Sequence, residues 1–172
     1  MKRTLLLALA IAVIPVGVDA QVTPSVACAD LSYPSAVSLE DTLTCAEQGY
    51  ALAQWMMGQR YTGHVGDEQF GDHLSIYGVL EDRAESARWY RLSAEQGFWR
   101  AQNSLGMQYF LGWGVPEDYV LAYMWMNLAQ AQDDEMAELD WKAIVEEQMT
   151  REQIAEAQRM SREWLEAHPG GN

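Results

Sequence analysis

The sequence predicts an all-α fold, a right-handed solenoid of paired helices with capping helices at its end. Three observations carry this. First, Ala46-Glu47-Gln48-Gly49 returns as Ala94-Glu95-Gln96-Gly97, and across residues 46–61 and 94–109 eight of sixteen positions are identical. Second, Asp82 and Trp89 recur as Asp118 and Trp125, now 36 residues apart rather than 48. Third, Ala53, Met57 and Tyr61, and their copies Ala101, Leu105 and Tyr109, recur at four-residue steps that share one helix face. The unit is therefore 36 residues long, and its first copy carries a 12-residue insertion within about residues 63–81. A helix pair of this size cannot bury its apolar face alone, so copies stack and leave an extended surface suited to partners.

Each element follows in order. Lys2 and Arg3 precede the apolar run Leu5 to Val16, and Val18-Asp19-Ala20 supplies small residues for cleavage. Residues 1–20 read as a secretory signal peptide rather than a membrane anchor, because the run falls short of the roughly 20 residues a span needs. Residues 21–37, rich in Pro, Ser, Thr and Ala, are expected to be mostly extended. A first helix is expected from Ser38, with Asp41 completing a weak capping box, to Gln48, where Gly49 ends it. The next spans about 50–62, and small Ala53 and Gly58 let a neighbour approach closely. After the insertion, residues 83–96 form a helix that Gly97 stops, and the second copy follows through 132. Its turn is Gly112-Trp113-Gly114-Val115-Pro116, with Pro116 suited to the first position of the following helix. Capping helices are expected over 133–167: an acidic one at 134–147, then one opened by the capping box Thr150-Arg151-Glu152-Gln153. In the last helix Ile154, Ala157, Met160, Trp164 and Leu165 should face inward, and residues 168–172 are a tail.

Charge and cysteines narrow the partners. A net charge of −14 repels phosphate backbones, so no nucleic-acid partner is expected. Acidity of this kind serves solubility and equally suits a basic partner surface. Cys28 and Cys45 are an even pair in an exported chain and read as one structural disulfide. It would tie the amino-terminal segment to the first helix, stabilising by about 3 kcal/mol.

The repeated residues resemble the Sel1-like repeat family, a relative of the tetratricopeptide solenoids. The second copy carries the fullest pattern: Ala94 to Gly97, Ala101-Gln102, Leu105-Gly106, Tyr109, Gly112, Gly114-Val115-Pro116, Asp118-Tyr119, Ala122 and Trp125. The first copy departs after its first half, where Arg83 replaces the tyrosine and Ser86 the alanine, and a third keeps little beyond Ala137. The resemblance implies a helical solenoid that scaffolds or regulates other proteins. Exported bacterial members include envelope assembly factors and periplasmic regulators of sensor kinases. Relatives linked to β-lactam binding carry a cysteine pair in every repeat, and this chain lacks such pairs.

Motifs for chemistry are weak. The insertion gathers His64, Asp67, Glu68, Asp72 and His73 among glycines, but this spacing matches neither an EF-hand nor H-E-x-x-H. It reads as a solvated loop. There is no G-x-S-x-G elbow and no phosphate loop, and the acidic pairs resemble solvated helix faces. No catalytic residue, metal ligand or cofactor is expected. Trp99 and Trp113 fall outside the repeat's apolar positions and are the candidate partner-binding residues, since one tryptophan buries a large area with few rotors to freeze. The expectation is a non-enzymatic scaffold, adaptor or regulator, exported to the periplasm, whose partner is a protein or peptide. Self-association through an uncovered repeat edge is compatible with this fold. The alternatives are an envelope hydrolase acting on cell-wall material or β-lactams, and a metal-responsive module built on the insertion.

Overall fold

The computed structural model describes residues 27–31, 37–62, 81–132 and 141–169. Among them a 3-10 turn, Cys28–Asp30, precedes seven α-helices and no strand. The helices are α1 (Leu39–Glu47), α2 (Ala51–Tyr61), α3 (Arg83–Glu95), α4 (Trp99–Leu111), α5 (Tyr119–Gln130), α6 (Trp141–Glu146) and α7 (Arg151–Ala167). Each of the first five packs on the next, and α5 is then covered by α6 and α7. This is the α-solenoid the repeats predict.

Two kinds of junction alternate along it. The α1–α2 and α3–α4 junctions turn through Gly49 and Gly97. At the first, the Gly49 N–H donates to the Ala46 carbonyl at 3.0 Å and the Tyr50 N–H to the Cys45 carbonyl at 3.1 Å. Gly97 and Phe98 repeat both bonds onto Ala94 and Ser93. This pairing is a Schellman motif, and it needs the left-handed backbone that Gly49 adopts at φ 94°. The longer junctions end instead in a polar N-cap. Asp82 and Asp118 accept the backbone N–H groups of Glu85 and Leu121, each at 3.0 Å.

The recurrent glutamines have a shared task. The Gln54 side-chain amide donates to the Ala46 carbonyl at 3.1 Å, and Gln96 donates to the Gln54 side-chain oxygen at 2.6 Å. One repeat on, Gln102 donates to the Ala94 carbonyl at 3.3 Å and Gln132 to the Gln102 oxygen at 3.0 Å. Helix ends leave carbonyls unpaired, and these ladders satisfy them inside the core. The A-E-Q-G and A-Q elements of the motif are two halves of one hydrogen-bonded unit.

Apolar residues form two clusters. The smaller surrounds the Cys28–Cys45 disulfide with Ala46, Ala53, Met57 and Trp89. The larger runs from Trp55 through Leu105 and Trp125 to Val145 and Ala157. Helices cross closely at the repeat glycines, as expected for Gly58. A Cβ there would lie 2.4 Å from the Tyr90 ring, and one on Gly106 would lie 2.7 Å from Met126.

Several expectations need correcting. Pro116 does not open a helix, because α5 begins at Tyr119 behind the Asp118 cap, so the proline belongs to the turn. Leu165 faces outward at 37% exposure, while Trp164 turns in against Trp125. The helical step places these neighbours about 100° apart, and only one reaches α5. At α1, Ser38 accepts the Asp41 N–H at 3.0 Å, but its hydroxyl meets the Asp41 carboxylate at 2.7 Å, so the return bond runs side chain to side chain. The Thr150 capping box is complete. Of the acidic helix over 134–147, the described part is α6. Ala137, residues 1–20, and the insertion cluster His64, Asp67, Glu68, Asp72 and His73 lie outside the described residues.

Candidate binding groove

The two copies of the repeat turn leave and rejoin the solenoid at one hydrogen bond. The Asp118 N–H donates to the Tyr109 carbonyl at 3.0 Å, and the Asp82 N–H donates to the Tyr61 carbonyl at 2.9 Å. The insertion therefore lies between two residues, Tyr61 and Asp82, that are bonded as their copies Tyr109 and Asp118 are. That bonded pair stands at the end of a cavity of about 450 Å³.

The floor of the cavity is one face of α4, where Asn103, Ser104, Met107, Gln108 and Leu111 follow at three- and four-residue steps. Gln59 of α2 and Thr62 just beyond it form one side, and Tyr90 of α3 lies beneath. Trp113 and Trp141 are the aromatic walls. None of these residues carries a formal charge, which stands out on so acidic a chain. Burial pushes the Tyr90 phenol above its ordinary value, against an opposite influence from Thr62, Ser104 and Ser86, so it stays neutral.

Trp113 is half-buried and held in place. The Arg83 guanidinium stacks 4.2 Å from its ring and is itself tied to Glu81 at 2.6 Å. Beneath it the turn is tight, since a Cβ on Gly114 would lie 1.9 Å from the Arg83 carbonyl oxygen. Trp99 is half-buried too, one turn before Asn103 on the same face, with Arg100 at 4.6 Å from its ring. Trp113 thus bounds the cavity, and Trp99 stands on the continuation of its floor.

Polar groups in the groove divide into engaged and unengaged. Ser104 is occupied, donating to the Arg100 carbonyl at 2.8 Å and accepting from Trp55 at 3.4 Å. The side-chain amides of Gln59 and Asn103 take part in no hydrogen bond among the described residues. Gln108, 2% exposed, donates through Nε2 to the Ser86 hydroxyl at 2.9 Å, and that hydroxyl donates to the Gly58 carbonyl at 2.8 Å. Ser86 has one proton and spends it on an oxygen that can only accept, so the Gln108 atom facing it must be the NH2. The amide orientation is fixed, and Oε1, on the other branch, has no partner among the described residues. A buried acceptor left unmet costs about 1–3 kcal/mol.

The sequence reading placed Ala101, Leu105 and Tyr109 on the buried face of α4 but did not single out Asn103, Met107, Gln108 or Leu111 opposite. The available signal was a second apolar pair, Met107 and Leu111, at a four-residue step outside the Ala101, Leu105 and Tyr109 stripe. Among the described residues that line it, the groove holds no nucleophile–base pair. Among the described residues no group of three or more histidines, cysteines and carboxylates stands together. No described helix is long and apolar enough to cross a membrane.

A short solenoid of helix pairs enclosing a neutral, amide-lined groove is the architecture of a protein-binding repeat module. Residues 51–98 and 99–134 each match the Sel1 repeat, and the chain belongs to the Sel1-repeat proteins. Such repeats are generally protein–protein interaction modules. The crystal structure of c5321, a protective antigen present in uropathogenic Escherichia coli strains displaying an SLR fold, is 30% identical to it. That match has a TM-score of 0.64 and covers 77% of this chain and 26% of the antigen's. A Sel1 repeat protein from Oxalobacter formigenes is 28% identical over 57% of this chain and 35% of its own, with a TM-score of 0.47. This chain thus spans about a quarter of the antigen's length. No curated protein matches it significantly.

Proposed function

We propose that this protein is a non-enzymatic adaptor, scaffold or regulator that holds an extended segment of a partner protein in the groove of α2, α4 and Trp141. The observation that carries the reading is the pair of side-chain amides, Gln59 and Asn103, that line the cavity with Trp113 and Trp141 and have no hydrogen-bond partner among the described residues. A side-chain amide offers one donor edge and one acceptor, which matches the N–H and C=O of a peptide backbone. Met107, Leu111, Trp113 and Trp141 supply apolar surface for alternate side chains. Trp99 and Trp113 keep their part as partner-contacting residues, one beyond the cavity and one at its wall.

The setting we assign is the bacterial periplasm. The Cys28–Cys45 disulfide favours an oxidising compartment, and the basic-then-apolar start of residues 2–16 has the pattern of an export signal. The test is in-cell crosslinking from a photoreactive residue at Asn103, with a second at Glu156 on the exposed face of α7. A dominant envelope protein captured from Asn103 and absent from Glu156 is the expected result. Equal capture from both positions, or none from Asn103, overturns the groove as the contact surface.

A further inference from the structure

We infer that the Arg100 guanidinium, held against the Trp55 and Trp99 indoles in the seam of α2 and α4, is a carboxylate contact that takes an aspartate or glutamate side chain of the partner segment. This rests on the groove being a peptide-binding surface and adds the residue class that the segment carries.

Position is the first observation. The Arg100 guanidinium carbon lies 4.6 Å from the Trp99 ring centroid and 5.7 Å from that of Trp55, so the head reaches from α4 to the neighbouring α2. Trp55 donates through Nε1 to the Ser104 hydroxyl at 3.4 Å, and Ser104 lines the cavity. Arg100 precedes Ser104 by one helical turn, and its carbonyl accepts the Ser104 hydroxyl at 2.8 Å. The cation therefore stands one turn along α4 from the cavity lining.

The second is hydrogen-bonding capacity left over. Elsewhere in the two repeats, Arg60 donates to the Val37 carbonyl at 2.9 Å and Arg91 to the Tyr109 hydroxyl at 2.9 Å. Arg83 donates to Glu81 and Arg88 to Glu85, each at 2.6 Å. Arg100 has no acceptor among the described residues. Contact with rings engages the faces of a guanidinium and leaves its N–H edge, a planar fork that fits the two oxygens of a carboxylate. The third is charge. A chain with 25 acidic residues places none on α2 or α4, whose charged residues are Arg60 and Arg100. Arg60 is 7% exposed and bonded to Val37 and Thr42, which leaves Arg100 as the charge these helices present. A lysine or arginine in the segment would meet like charge there, and a neutral side chain would leave the fork unused. A carboxylate supplies both the opposite charge and the acceptors.

The test needs no known partner. Random peptides displayed on phage, fused so that none has a free C-terminal carboxylate, are selected on the full disulfide-bonded chain. Enriched sequences are made as N-acetylated, C-amidated peptides, and those captured by a photoreactive residue at Asn103 are kept as groove binders. These are expected to share an aspartate or glutamate at one fixed position. Replacing that acid with its amide should weaken binding to the parent chain about tenfold, the size of a lost charge-assisted hydrogen bond. In Arg100→Gln the same replacement should change affinity by less than about twofold, because the two changes remove one interaction. Should that variant fail to fold, Arg100→Lys keeps the charge and loses the fork, and it should weaken the acidic peptide more than its amide counterpart. Groove binders with no shared acid overturn the inference. An acid-to-amide loss that persists undiminished in Arg100→Gln, or in Arg100→Lys where only that variant folds, also overturns it, as does a selection that yields no groove binder. Any of these results together with partner capture from Asn103 in cells leaves the adaptor reading standing and removes only the carboxylate contact.

Discussion

Gly49 and Gly114 adopt the same kind of backbone for different reasons, and substitution separates them. Both have positive φ, 94° and 74°, in a region where a side chain meets its own carbonyl. Around Gly49 there is open space, so Gly49→Ala adds only that local strain, about 1 kcal/mol. Gly114 lies under the amino-terminal end of α3, and its Cβ would overlap the Arg83 carbonyl carbon at 2.2 Å. Backbone cannot swing aside as a side-chain tip can. Gly114→Ala should therefore cost about 3 kcal/mol or more and displace Arg83 from Trp113. Urea unfolding followed by circular dichroism measures both variants. Equal losses would mean that the turn does not wedge against α3.

At the level of the element, α3 and α5 both start behind an aspartate that caps the helix with its side chain and closes the junction with its own N–H. Asp118→Ala leaves the Leu121 N–H without its side-chain acceptor and should destabilise by about 1 kcal/mol, with little change in the denaturant slope. An unchanged midpoint would show that water replaces the carboxylate without loss. The recurrence of Asp82 as Asp118 was visible in the sequence, though its reason was not. Helix existence, the glycine stops and the four-residue stripes were legible because they depend on local backbone preference and periodicity. The placement of Pro116 was not, because a proline can open a helix or sit in the turn before it, and the Asp118 cap decides. The Leu165 error has the same root: periodicity sets which residues share a face, while the position of α5 sets how wide that face is. Gln108 was out of reach, since its significance lies in a relay through Ser86 to Gly58, on two other helices. The amides of Gln59 and Asn103, without a partner among the described residues, lie on separate repeats and come together only where α2 and α4 line one cavity.

For the whole molecule, the question is what stops a stack of repeats that has no natural end. Copies bury one another in sequence, so the last repeat presents an apolar face that something must cover. Here α6 and α7 provide the cover. Val145 and Ala157 are fully buried in the main cluster, the Ser161 hydroxyl lies between the Ala157 carbonyl at 3.0 Å and the Met124 carbonyl at 3.3 Å, and Trp164 meets Trp125 edge-on with ring centroids 6.1 Å apart. The outer face of α7 is charged, with Arg159 between Glu156 and Glu163. Buried inside and charged outside, α7 closes the stack without offering an edge for another repeat. Cutting the chain after residue 140 would lay bare α5, the most apolar of the described helices, whose Tyr123, Met124, Trp125 and Leu128 are all buried in the full chain. It would also remove Trp141 from the groove. The truncated protein should elute as large aggregates in gel filtration, and any soluble fraction should lose its cooperative thermal transition. Leu165→Glu is the contrasting change, because that side chain already faces solvent, and its midpoint should stay within about 2 °C of the parent. A truncated chain that remained monomeric and melted cooperatively near the parent midpoint would mean that the two repeats suffice alone. The closing helices would then belong to the partner surface rather than to the fold.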